Sequence, residues 1–364
     1  MKMTVLVMGL LALVPAGVMA QSAEPKEEEL REEIERVRKT LDFFSRLRIG
    51  GYIQAQYVHD ERSVDETTGP AGTRNLDQFS VRRGRIKFTY QAGPVSRFVL
   101  QPDLSSSGAA LKDGYMELTE PWTAWRHTLT AGQFIWPFGF EVMYSSNDRE
   151  LPEYSRMIRT LFPGEHDRGL MLSGIGFSGK MNYRLALVNG TGTTQPFDFN
   201  KRKDLVGRAG YSSGGFAFGA SFYRGAELVS LGGLTPGREF DKQRTGVDFQ
   251  WTTPLPGFRV RGESIRGVQP PAPGTPVSLA RAADVAGWYF YAIQNVGTRH
   301  QFALRLDQYD PDTTLRGNAT RTLGGAYTFH WDRNSKVMIA HEQPRLQVDD
   351  PPDDVWTIRY QYSF

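Results

Sequence analysis

Thirty-three arginines against ten lysines are the first chemical signal in this 364-residue chain. Many sit at alternate positions of extended stretches: Arg83, Arg85 and Lys87, then Arg97, Arg184, Arg208, Arg259, Arg261, Arg305 and Arg359. Arginine stays ionised and forks onto carboxylate and phosphate oxygens, so rings of guanidinium groups around a passage select anions. Fewer acids share that parity, namely Asp103, Glu117, Asp248, Glu263 and Asp307. Two readings therefore stand side by side, a cationic lining or arginines consumed in ion pairs. Parity slips near Arg83-Gly84, which predicts a bulge and admits Arg82 in place of Arg83 on the inner face. A second cluster lies between residues 135 and 166, where Phe138, Glu141, Arg149, Arg156 and Arg159 precede Arg168. Asp148, Glu150, Glu153 and Glu165 give that stretch mixed charge.

Other chemistries find weaker support. Gly174-Ile175-Gly176-Phe177-Ser178-Gly179-Lys180 matches two phosphate-loop strings, but Met181 replaces the required hydroxyl residue and no helix pattern follows. Six scattered histidines have no metal-ligand spacing, so neither a metal nor a cofactor is expected. The absence of cysteine excludes disulfide scaffolds and thiolate chemistry. No serine has a nucleophile-elbow context, so an enzyme is not expected. The net charge of +3 argues against nucleic acid as a partner. The run from Asp349 to Asp354 reads as a solvated loop.

The elements that must carry these side chains are mainly strands. Residues 1–20 read as a signal peptide: Lys2, an apolar run from Val5 to Val14, and Val18-Met19-Ala20 before the cut. Residues 21–47 read as a helical, coiled-coil segment, because Leu30, Ile34, Val37, Leu41 and Phe44 follow a 4-3-4-3 spacing. A small symmetric oligomer follows if that seam is buried against copies of itself.

From Arg48 the period becomes two. Trp356, Ile358, Tyr360, Tyr362 and Phe364 alternate with Thr357, Arg359, Gln361 and Ser363, and Phe302, Leu304 and Leu306 alternate with Arg305 and Asp307. About sixteen such segments can be marked between residues 48 and 364, of the ~9–11 residues a tilted membrane strand needs. Their connections alternate short and long, the long ones being 59–77, 135–166, 189–203, 225–242, 267–283, 310–319 and 343–353. This pattern predicts an all-β protein, a transmembrane antiparallel barrel with both chain ends on the short-turn side. Barrels of about sixteen strands leave an aqueous channel. The connection 135–166, the longest at 32 residues, is expected to fold toward the lumen as a constriction.

Residues 48–364 resemble the phosphate-selective porin O and P family of bacterial outer membranes. The resemblance rests on Phe79-Ser80-Val81-Arg82-Arg83-Gly84-Arg85-Ile86, on Gly132-Gln133-Phe134 running into Pro137-Phe138-Gly139-Phe140-Glu141, and on Asp167-Arg168-Gly169. It implies a homotrimer of sixteen-stranded barrels, an inward third loop and uptake of small anions. It also implies a terminal Phe364 read by the barrel assembly machinery, and a setting of outer-membrane lipid and lipopolysaccharide. Residues 135–166 contain no lysine, unlike the constriction of phosphate-specific members, so phosphate specificity does not carry over. The expected function is passive diffusion of small hydrophilic solutes with a preference for phosphate or small organic anions. The alternatives are a plugged structural barrel anchored through the N-terminal coil and, less favoured, a barrel-borne hydrolase.

Overall fold

The computed structural model describes residues 23–63, 75–193, 197–232, 234–346 and 354–364. The expected signal peptide and most of the 349–354 acidic run lie outside them. Helix α1 (Ala23–Arg46) occupies one unit of its own. The heptad seam residues Leu30, Ile34, Val37, Leu41 and Phe44 are all exposed on it.

The second unit, Leu47–Phe364, is a closed antiparallel barrel of sixteen strands in sequence order, with the last pairing with the first. The strands are β1 (Leu47–Asp60), β2 (Gln78–Gln91), β3 (Ser96–Ser105), β4 (Gly108–Thr119), β5 (Thr128–Ile135) and β6 (His166–Gly176). They continue with β7 (Met181–Val188), β8 (Asp204–Ser213), β9 (Phe216–Leu231), β10 (Leu234–Thr252) and β11 (Phe258–Gln269). The ring is completed by β12 (Ala283–Val296), β13 (His300–Asp310), β14 (Thr320–His330), β15 (Ser335–Leu346) and β16 (Val355–Ser363). Closure removes the unpaired edges that lipid cannot solvate. No described helix is long and apolar enough to cross a membrane.

Burial is inverted relative to a water-soluble domain. Phe302, Leu304, Leu306, Ile358 and Tyr360 stand exposed, while Arg305, Asp307, Thr357, Arg359 and Gln361 between them are buried. A two-residue period forces this division, because successive side chains point to opposite faces of a strand. The polar set therefore faces inward.

One connection differs from expectation. The stretch 225–242 is mostly strand rather than loop, since β9 and β10 pair onward to Leu231 and Leu234. Residues 104–111 form a tight hairpin, where Ser105 pairs with Gly108. The slip in β2 is a bulge: Gln54 faces Arg83 and Ala55 faces Val81, leaving Arg82 as the extra residue.

The connection after β5 contains helix α2 (Arg156–Leu161) and is packed rather than loose. Phe138, Val142, Leu151, Met157, Ile158 and Phe162 are buried together with inward side chains of β9 to β13, including Tyr223, Ile265, Tyr289 and Tyr291. Gly139 opens this segment in the left-handed region, with φ +57°. A Cβ there would collide with the carboxylate of Glu263.

Candidate functional site

Polar contacts tie the connection to inward side chains at many places around the ring. Gly139 N donates to Ser221 Oγ on β9 at 2.9 Å. Lys336 Nζ on β15 donates to Asn147 O at 2.6 Å, and Gln361 Nε2 on β16 donates to Asn147 Oδ1 at 2.8 Å. Gln54 Nε2 on β1 donates to Ser146 O at 2.9 Å. A segment held by β1, β9, β15 and β16 at once lies across the interior of a closed barrel.

Two loop carboxylates gather four of the nine expected arginines. Glu153 lies 2.9 Å from Arg82, Arg83 and Arg359 alike. Burial alone would raise its pKa, but the three guanidinium groups hold it well below the ordinary carboxylate range. Glu150 meets Arg261 at 2.5 Å and Arg259 at 2.8 Å, and against its own burial it too is held low. Against the desolvation that would raise it, Glu165 is brought to about 2 by Lys112 and Arg149.

The wall supplies further pairs. Arg85 reaches Asp103 at 2.9 Å and Lys87 reaches Asp113 at 3.3 Å, with Arg97 on Glu117 and Arg208 on Asp248. Arg305, fully buried, pairs with Asp307 and Glu342 and donates to Tyr291 Oη. Most of the arginines read as a lining are thus engaged with carboxylates.

Several loop residues singled out from the sequence are correspondingly structural in setting. Phe138 is fully buried against Phe162, their ring centroids 4.7 Å apart. Glu141 accepts from Ser155 N at 3.1 Å and from Ser155 Oγ at 2.5 Å. Arg149 is buried with its guanidinium 3.2 Å above the Tyr154 ring. Arg156 N approaches Asp307 Oδ1 at 3.4 Å, and Arg159 is exposed in the last turn of α2. Arg168 is a correction: it has the parity of the outward Leu170 and Leu172, and its Nη2 donates to Gly192 O at 2.8 Å.

Arg184 on β7 stands apart. It is exposed and on the inward parity, and among the described residues it has no carboxylate within ion-pair distance. Its Nη1 approaches Met143 Sδ of the loop at 3.2 Å. Three cavities share it as a lining residue, of about 360, 340 and 880 Å³. The largest also contains Arg97, Glu117 and the β6–β7 turn, on the short-turn side. Wall residues from β1 to β10 line these cavities, and Arg184 is common to all three.

Residues not singled out from the sequence complete the site. Glu342 shares the inward parity of Met338 and Ala340, a signal that alternation alone carries. Asp113 is hidden in the sequence by the register shift between Gln101 and Pro102. Tyr289 and Tyr291, which donate to Glu263 and Glu141, carry no signal beyond parity.

A closed ring of sixteen antiparallel strands with polar interior and a long loop packed inside is a porin-type barrel. A model of the family described as phosphate-selective porin O and P matches residues 63–232, a span that contains all three motifs quoted above. No curated protein sequence matches the chain. Among solved structures, an anion-selective porin from Comamonas acidovorans aligns with a TM-score of 0.64 at 11% identity, covering 87% of this chain and 99% of that one. OmpF of Salmonella typhi in complex with daunomycin aligns with a TM-score of 0.61 at 12% identity, covering 87% and 97%. OmpT of Vibrio cholerae in its trimer form aligns at 0.60 and 9% identity, covering 87% and 99%. At these identities the likeness is one of fold.

Proposed function

We propose that this protein is an outer-membrane porin that passes small hydrophilic solutes by passive diffusion and prefers anions, whether phosphate or small organic anions. The observation that carries the preference is Arg184, a guanidinium without a carboxylate partner among the described residues, set where three cavities meet. Arginines matched one to one with carboxylates contribute little net field, whereas an uncompensated charge at a narrow, low-dielectric passage biases every ion that goes by. The family match and the anion-selective structural relative support this reading. In the same proposal residues 1–20 are a signal peptide, the barrel assembles as a homotrimer, and Phe364 is read by the assembly machinery.

The test is the reversal potential of purified protein in a planar bilayer under a potassium chloride gradient, compared with Arg184→Gln. An anion-selective current that moves toward neutrality in the variant supports the proposal. Cation-selective wild-type current sinks the anion preference and leaves the porin. No current at all favours the plugged structural barrel, and lipid or peptide hydrolysis would favour an enzyme.

A further inference from the structure

A cavity of about 630 Å³ shares no lining residue with the three around Arg184. It is bounded by Trp136, Leu161 and Pro163 of the long inward connection, by Phe199 of the β7–β8 connection, and by Lys242 and Arg244 of β10. Its volume suits one small organic molecule.

The two cations differ. Lys242 Nζ donates to Gly190 O at 2.8 Å and lies 3.3 Å from Glu227 and 3.9 Å from Asp204. Arg244 is as deeply buried, yet among the described residues it has no carboxylate within ion-pair distance. Gln269 holds it instead, its Oε1 accepting from Nη2 at 2.6 Å, and the Phe162 and Tyr223 rings lie 4.6 and 5.2 Å from its guanidinium carbon. Arg83, Arg261 and Arg359, equally buried, each contact a carboxylate. Nε of Arg244 and Nε1 of Trp136 are buried donors without a partner among the described residues. A buried charge or donor left unmatched is costly, so these two side chains favour an anionic acceptor. Glu227 on the same wall opposes a second negative charge on that ligand. The rings of Trp136 and Phe199 suit a flat apolar body.

We propose that this cavity binds an aromatic monocarboxylate, its carboxylate on Arg244 and its ring against Trp136 and Phe199. The inference names a solute class for the anion-preferring channel and rests on that reading. It is tested on the detergent-solubilised full chain with benzoate, whose binding is followed by saturation-transfer NMR, and with acetate and inorganic phosphate as competitors. The expected result is saturable benzoate binding that either competitor displaces only at concentrations higher by roughly tenfold, since acetate lacks the ring and phosphate adds charge. Arg244→Gln is expected to weaken binding by roughly tenfold or more, as the loss of a charge-assisted contact demands, and Phe199→Ala to weaken it less. Absence of saturable benzoate binding would overturn the site, as would displacement by acetate or phosphate at equal concentration. Wild-type affinity in Arg244→Gln would overturn it too. Heat-modified electrophoretic migration reports folding, and Phe199→Ala, at an exposed position, decides the matter in place of an Arg244→Gln protein that does not fold. Planar-bilayer current is read separately: benzoate binding without conductance would count against the channel and leave the site standing.

Discussion

The carboxylate of Glu153 lies 2.9 Å from Nη2 of Arg83, and this contact joins the inner loop to the bulge of β2. Arg359 from β16 and Arg82 reach the same carboxylate, so one loop acid is shared by three wall cations. Charge balance and loop placement are thus one arrangement: moving the loop exposes the arginines, and removing an arginine frees the loop.

Glu153→Gln follows directly. Three guanidinium groups would face a neutral amide, and breaking a buried ion pair of this kind costs about 3 kcal/mol or more. The thermal transition, followed by heat-modified electrophoretic migration, is expected to fall. The reversal potential of the surviving channels is expected to become more anion-selective. A variant identical to wild type in both measurements would show that the cluster neither holds the loop nor faces the ion path.

Arg85 behaves differently because its partner belongs to the wall. Arg85→Ala leaves Asp103 uncompensated, so anion preference is expected to fall for a reason unconnected with anion binding. Arg85→Ala/Asp103→Ala removes the pair together, 2.9 Å apart and nearly enclosed, and is expected to restore wild-type selectivity. Reversal potentials of the three proteins under one salt gradient separate a binding arginine from a paired one.

How much of this is legible in the sequence depends on the kind of relation. Alternation places Arg305 and Arg359 inward, because a strand has only two faces and lipid demands that one be apolar. The bulge at Arg82 announces itself as a slip in that alternation. Pairing is not legible: Glu150 and Glu153 are remote in sequence from Arg83, Arg261 and Arg359, and these partners come from β2, β11 and β16. The distinction between Arg184 and Arg208 is equally hidden, since both are inward arginines and only the fold puts Asp248 beside one of them. The strand content of 225–242 escapes a sequence reading because Gly232, Gly233, Pro236 and Gly237 read as loop residues.

The loop carboxylates fix a pH dependence. A carboxylate held below its ordinary pKa of about 4.3 contributes its full stabilisation above that value, and loses it as pH falls toward the folded-state pKa. For Glu165 that lower limit is about 2, and Glu150 and Glu153 shift in the same direction. Loop anchoring is therefore expected to be constant from neutrality to about pH 5 and to weaken between about pH 4 and pH 2. Single-channel current noise and protease sensitivity within 136–165 should both rise only in that acid window. A rise already at pH 6 would assign control of the loop to other groups.

Gly139→Ala tests the entrance to the loop. A non-glycine residue at φ +57° costs roughly 1–2 kcal/mol in backbone strain. The added methyl group would also displace Glu263, whose Oε2 accepts from Glu141 N at 3.1 Å. The expected result is a lower thermal transition with noisier channel openings, while the barrel still inserts into bilayers. Unchanged stability would mean that Glu263 shifts freely and is not part of the anchor.

The exposed seam of α1 provides the last prediction. Leu30, Ile34, Val37, Leu41 and Phe44 remain uncovered on a helix of 24 residues, an arrangement that water disfavours and that two or more copies satisfy by packing seam to seam. At two and a half heptads the helix adds stability only when the barrels already hold it at high local concentration. Deletion of residues 24–47 is therefore expected to leave monomeric channel conductance intact and to lower the temperature at which the oligomer dissociates. Leu30→Ser/Val37→Ser on the intact chain should produce a smaller shift in the same direction. Unaltered dissociation of the deletion protein on semi-native gels would place the whole of the assembly energy in the barrel walls and assign the seam to a different partner.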